Sequence, residues 1–357
     1  MTRSRVRFGM LALLASIPSL GLASHASADE PSSPTFWWLE AINSFLVSSP
    51  WAVDGVIDPT NAPVVSGDFT SLSASIAPVQ APIMKIDDAN KLSTGKGFVV
   101  AILDGGFNLN HPAVSARWTT ARYDAYSGDN DPSDLGNGID DDHDGVVDNG
   151  VGHGTFVASL VARAATGAKL MPIRIADDEG RGTQLSFSSG MNYAMSNGAN
   201  VINVSFTLDT TNSAVTSLLA AAESRGITVI VAAGNESTDV MDVLAATPTV
   251  LAIGSVDNTN ILAPFSNYGV SVALYAQGVD IKGAYGSPTV KKLAIWSGTS
   301  FSAGFVSGAA ALIKQKHPTW TPASIRSALR ASVDPAYSPT GAVMVGGRIN
   351  LLKAAQQ

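Results

Sequence analysis

The residues able to do chemistry fall in four short stretches. Ser297-Gly298-Thr299-Ser300 closes a turn and opens an apolar run to Lys316, where a serine either caps a helix or exposes its hydroxyl as a nucleophile. A serine hydroxyl attacks poorly until an imidazole takes its proton, and a carboxylate must fix the tautomer of that imidazole and stabilise the imidazolium. Five histidines are available. His25 lies in the N-terminal region, His111 and His317 precede prolines, and His143 sits among aspartates. His153 differs: it stands in Val151-Gly152-His153-Gly154-Thr155, flanked by glycines that free the backbone, with Thr155 expected to cap the next helix. Asp104, at the end of an apolar run, supplies the carboxylate. Asn235, after Ala232-Ala233-Gly234, is placed either for an Asx turn or for donating its amide to a developing oxyanion.

These groups need elements to hold them. The run 98–103 is continuously apolar, as expected of a strand buried on both faces, and 169–175, 201–204, 227–232 and 250–253 read as similar short buried strands. Helical patterns at 155–165, 184–197 and 213–225 lie between them, and helices at 300–316 and 322–331 close the chain, the last with Thr321 as cap and Pro322 in its first turn. Strands alternating with helices predict an α/β fold of three layers, a mostly parallel sheet covered by helices on both faces. In such sheets chemistry gathers beyond the carboxyl ends of the strands, which selects Asp104, Ser205 and Asn235.

Through Val100-Ala101-Ile102-Leu103-Asp104, Gly152-His153-Gly154-Thr155, Ala233-Gly234-Asn235 and Gly298-Thr299-Ser300, in that order, the chain resembles the subtilisin-like serine proteases from about residue 81 to its end. The resemblance implies Ser300 as nucleophile, His153 as general base and acid, Asp104 as its orienter and Asn235 as oxyanion donor. It further implies that Asn203-Val204-Ser205-Phe206-Thr207 pairs with an extended peptide, Ser205 and Phe206 lining it, and that Ala233 and Gly234 wall the primary specificity pocket. Three residues depart from the family: Gly105 replaces a Thr or Ser that would support the carboxylate, Thr207 replaces a Gly, and Gly304 replaces a Pro, which is expected to loosen the helix start. The expected function is a secreted serine endopeptidase; the alternative is a catalytically impaired relative that binds peptides. An esterase or amidase of another α/β family lacks support, because no G-x-S-x-G surrounds Ser300.

An acidic loop precedes His153. Asp140, Asp142 and Asp144 alternate, Gly145 follows and Asp148 stands beyond, the first half of an EF-hand-like loop whose final Glu is replaced by Val151. Carboxylates crowded in this way repel unless a cation neutralises them, so a structural calcium ion is expected there, against the plainer reading of a solvated insertion.

The chain has 357 residues, 45% hydrophobic and 14% charged, with a formal net charge of -7, which excludes a disordered or fibrous protein and argues against nucleic acid as a partner. Arg3, Arg5 and Arg7 precede the apolar run 8–22, and Ala26-Ser27-Ala28 offers a small-x-small cleavage site, so residues 1–28 are expected to be a signal peptide and the protein secreted or periplasmic, without stable membrane insertion. There is no cysteine, so packing or bound ions must supply the stability that disulfides often give exported proteins. Residues 29–80, rich in Ser, Pro, Ala and Thr, read as a leader, pro-segment or linker with one short helix at 39–47, before a catalytic domain over 81–357. The expected partner is a protein or peptide substrate, met by a monomer.

Overall fold

Successive residues of a strand point to opposite faces, and in Val99–Asp104 both faces are apolar: Val100 and Ile102 enter one core, Ala101 and Leu103 another. A strand of this kind is stable only between two covering layers, and the computed structural model supplies them. It describes residues 46–47 and 69–357, except 142, 144, 209–212 and 240–243.

In chain order the helices and strands are β1 (Leu46–Val47), α1 (Phe69–Leu72), α2 (Gln80–Ile83), α3 (Ile86–Leu92), β2 (Val99–Asp104), β3 (Tyr123–Asp124), α4 (His153–Ala164), β4 (Lys169–Arg174), β5 (Gly182–Thr183), α5 (Gln184–Ser196) and β6 (Val201–Val204). There follow α6 (Ser213–Ser224), β7 (Thr228–Ala232), β8 (Val250–Val256), β9 (Leu274–Gln277), β10 (Ile281–Tyr285), β11 (Lys292–Trp296), α7 (Thr299–Lys316), α8 (Pro322–Ala331), β12 (Val333–Asp334), β13 (Arg348–Ile349) and α9 (Leu351–Gln356).

The main sheet has the order β12-β13-β9-β8-β7-β6-β2-β4-β3, parallel throughout except for the β12–β13 pair at one edge. On one face Val100, Ile102, Ile230 and Leu251 pack beneath Phe156 and Leu160 of α4 and Phe305 and Leu312 of α7. On the other, Ala101, Leu103, Ile202 and Val229 meet Phe187 and Met191 of α5 and Val215 and Leu219 of α6. The fold is therefore the expected three-layer α/β architecture. Each fully buried Leu, Ile or Phe contributes about 1.5–3 kcal/mol, and this double core stabilises a chain that has no cysteine.

The predicted strands and helices of the sheet region are present within a few residues of their expected bounds. The β10–β11 hairpin was not legible, because glycine and half-buried lysine and tyrosine break its alternation. Of the helix expected at 39–47, only residues 46 and 47 are described, and they form β1, paired antiparallel with β5 through Leu46 to Thr183 and Val47 to Gly182; here edge pairing overrides local helical propensity. Described residues ahead of the expected boundary at 81 also pack with the sheet region. Phe69, Leu72 and Ile76, spaced three and four apart, are buried in the first core, and the Ala77 N–H donates to Lys282 O at 2.8 Å. The small polar residues around them had hidden this apolar spacing, of which only Phe69 and Leu72 lie on α1 while Ile76 is extended. The signal-peptide and leader readings over 1–45 and 48–68 lie outside the described residues. No described helix is long and apolar enough to cross a membrane.

Candidate active site

Strand β2 has β4 on one side and β6 on the other, so the chain reverses its direction of winding there and leaves a crevice beyond the carboxyl ends of β2 and β6. Asp104 is the last residue of β2, Ser205 directly follows β6, and Ala233-Gly234-Asn235 directly follow β7.

Asp104 is fully buried. Its Oδ1 accepts the Gly105 N–H at 2.8 Å and lies 2.7 Å from His153 Nδ1. A carboxylate only accepts, so Nδ1 carries the proton, and the neutral ring then presents Nε2 as a proton acceptor. No donor among the described residues reaches Asp104 Oδ2, which is also buried. Position 105 is where a hydroxyl-bearing side chain was missed in the sequence, and the unpartnered oxygen is its structural counterpart.

His153 is the first residue of α4. Gly152 before it adopts φ +91°, and a Cβ there would lie 2.5 Å from Tyr285 Cε2, so only glycine permits the turn that delivers the imidazole. The expected Thr155 cap is not made: the helix begins two residues earlier, and Thr155 Oγ1 accepts the Asn108 N–H at 2.7 Å instead. The imidazole is packed by Trp296 of the hairpin, edge-on at 5.4 Å between ring centroids, and by Phe301 at 5.6 Å. Phe301 is the neighbour of Ser300, so this packing brings the serine stretch against the histidine.

Ser300 is not a cap. It is the second residue of α7, whose N-cap position is Gly298 without any side-chain cap of its own, and Ser300 Oγ lies 3.5 Å from the Ser205 carbonyl. The capping comes from elsewhere: Asn235 Oδ1 accepts both the N–H and the hydroxyl of Thr299, each at 3.0 Å. Because a backbone N–H can only donate, these bonds assign the amide, and Asn235 Nδ2 is turned toward Gly298, beside Ser300. Asn267 supports this turn, donating to Ala233 O at 2.9 Å and Glu236 Oε2 at 2.6 Å while accepting the N–H groups of Glu236 and Thr238, both at 3.1 Å.

The expected peptide-binding residues border the same crevice. Ser205 is buried, its hydroxyl accepting from Asn203 Nδ2 at 2.9 Å; the Phe206 side chain enters the second core, so that only its backbone can serve a peptide. Ala233 and Gly234 are buried, with Gly234 N–H donating to Thr299 Oγ1 at 3.2 Å. Gly304 does not loosen its helix: α7 is continuous from Thr299, and a Cβ at 304 would make ordinary contact with Val157 and Leu160 of α4.

Of the acidic loop, Asp142 and Asp144 lie outside the described residues. Asp140 Oδ2 accepts the Gly145 N–H at 3.0 Å, and Asp148 accepts those of Asn137 at 2.9 Å and Gly138 at 3.0 Å. Among the described residues no three acidic or histidine side chains gather as a metal site. Instead buried Glu179, after β4, accepts the N–H groups of Asp141, Asp148 and Asn149 and ties the loop to the sheet.

A sequence-family model of the subtilase family matches residues 95–345. Subtilisin BL from Lederbergia lenta is 31% identical over 269 residues, 73% of this chain and 90% of its own length. Subtilisin E from Bacillus subtilis (strain 168) is 31% identical over 304 residues, 80% of this chain and 72% of its own length. Among solved structures, a protease from Pseudoalteromonas arctica PAMC 21717 superposes with a TM-score of 0.69 at 26% identity, covering 76% of this chain and 93% of its own. With these matches spanning the strands and helices that carry Asp104, His153, Asn235 and Ser300, the chain belongs to the subtilase family and is a hydrolase of the serine endopeptidase class.

Proposed function

We propose that the protein is exported and hydrolyses peptide bonds through an acyl-enzyme on Ser300. The observation that carries this reading is the 2.7 Å contact between buried His153 Nδ1 and buried Asp104, with the Asn235 amide oriented beside Ser300. Ser300 Oγ bonds to the scissile carbonyl carbon while its proton passes to His153 Nε2, and the carbonyl oxygen takes up negative charge. Asp104 holds the resulting imidazolium, and Asn235 Nδ2 donates to the oxyanion, a contribution of about 3–4 kcal/mol in comparable sites. The C–N bond then breaks as Nε2 returns the proton to the leaving amine, and water repeats the sequence on the ester. An extended peptide is held by backbone bonds along 203–207, beside Ala233 and Gly234.

Export is supported by Arg3, Arg5 and Arg7, the apolar run 8–22 and Ala26-Ser27-Ala28. A structural calcium ion on Asp140, Asp142, Asp144 and Asp148 is supported by their hard oxygen donors and alternating spacing, and the ion would hold the loop before His153 without entering the reaction.

The decisive experiment labels the purified protein with a fluorophosphonate and compares wild type with Ser300→Ala and His153→Ala. Labelling lost in both variants, with cleavage of a peptide library by wild type, is expected. An unlabelled wild type would sink the reading, and labelling without peptide cleavage would make the protein an esterase.

A further inference from the structure

One buried carboxyl beside the site is none of the residues assigned above. Asp134 lies in the long connection between β3 and α4 and is only 1% exposed. Two backbone bonds staple its segment to Phe107, three residues past Asp104: Phe107 N–H to Pro132 O at 2.9 Å and Asp134 N–H to Phe107 O at 3.2 Å. Gly106, at φ +149°, leaves it room, since a Cβ there would stand 2.9 Å from Asp134 Cα. The carboxylate is aimed at the other partner, Oδ2 accepting the Gly152 N–H at 2.5 Å. Asp134 is thus wedged between the backbone that ends at Asp104 and the turn that delivers His153.

A neutral amide acceptor could make that bond, so the charge requires its own account. Burial first, then the neighbouring carboxylates of Asp104 and Asp178, push the Asp134 pKa up to about 7, against the pull of the Gly152 bond and Arg174. The charged and titratable groups that act on it are Asp104 on β2, Arg174 on β4 and Asp178 after β4, and it in turn acts on Tyr285 of β10. Of these, Asp104 has one oxygen without a donor and holds His153, which gains a positive charge during the proposed reaction.

We propose that Asp134 is a positioning residue for His153: its ionised carboxylate holds the amide of Gly152, the residue before His153, and adds a second negative charge in the neighbourhood of Asp104, favouring the imidazolium that forms in the transition state. The proposal rests on His153 being the general base. Protonation of Asp134 removes that charge, so the acid limb of the activity profile reports two groups, His153 and Asp134.

The test measures kcat/KM on a chromogenic peptide anilide from pH 5 to 10 for wild type, Asp134→Asn and His153→Ala. Expected are a wild-type acid limb steeper than a one-proton curve, a one-proton limb for D134N displaced to lower pH by about half a unit, and a roughly three- to tenfold lower kcat at pH 8 with KM unchanged. Superimposable limbs in wild type and D134N would overturn the role of Asp134 alone. Should D134N fail to fold, the wild-type limb decides, and a one-proton limb overturns the proposal. Full activity in H153A would instead overturn the reading beneath it.

Discussion

Replacing Gly105 by serine tests the unpartnered oxygen of Asp104 directly. Asp104 Oδ2 is buried and meets no donor among the described residues, and a buried acceptor left in this state costs about 1–3 kcal/mol. The position admits a side chain: a Cβ at 105 would lie 3.6 Å from Asp177 O and 3.7 Å from Gly150 O, ordinary contacts, and the backbone there is not left-handed. A hydroxyl one bond further can return to the carboxylate, and a hydrogen bond to a charged group is worth about 1.5–3 kcal/mol net. Any residue replacing glycine also gains about 0.4–1 kcal/mol by restricting the unfolded chain, so Gly105→Ala is the necessary control. We expect Gly105→Ser to be more stable than Gly105→Ala by about 1.5 kcal/mol, which raises the melting temperature by roughly 3–6 °C. Calorimetry at pH 8, in a Ser300→Ala background that prevents self-digestion, measures the difference. Restored to the active background, Gly105→Ser should also have the higher kcat/KM. Coincident melts for the serine and alanine variants would refute the reasoning, because the hydroxyl would then have found no acceptor.

Three other outcomes follow from the geometry. Asn235→Ala should lower kcat by about 10²–10³ with little change in KM, since the amide acts on charge present only in the transition state, and it should cost about 1 kcal/mol of stability as the cap on Thr299 is lost; a loss confined to KM would contradict it. Excess EGTA should lower the melting temperature, and an unchanged melt would count against calcium in the acidic loop. For Asp134 the folded pKa is raised from 3.8 to about 7, so the stability carried by its protonated form is complete below pH 4 and is lost as pH rises through 7. That loss amounts to roughly 4 kcal/mol at 1.36 kcal/mol per unit. Asp134→Asn escapes it and should melt above wild type at pH 8 but not at pH 4; parallel curves of melting temperature against pH would show that the group does not titrate there.

The legible parts of the site are those governed by local rules. Asp104 was visible because it ends a continuous apolar strand and Asn235 because it stands just beyond the end of another, and His153 and Ser300 because glycine and small residues mark a tight turn into a helix. Local rules also misled. Thr155 and Ser300 have the composition of caps, yet neither caps its helix: Thr155 holds Asn108, 47 residues away, and the cap of α7 is Asn235, 64 residues before Thr299. Phe69, Leu72 and Ile76 were passed over because their neighbours are small and polar, although they pack in the main core. Trp296, Asn267 and Glu179 carry no motif, and their importance exists only through what they touch.

From sequence alone came the three-layer α/β fold and the four groups able to act on a peptide bond. Strands buried on both faces demand uninterrupted apolar runs, and the places where those runs stop are local events written in the chain. The tertiary structure alone decided which oxygen of Asp104 is partnered, which way the Asn235 amide faces, and that Asp134 holds the amide of the residue before His153. Each depends on a donor or acceptor brought from a distant segment, such as the Gly152 amide 18 residues past Asp134, and no local pattern encodes the approach of two surfaces that meet only when the layers pack.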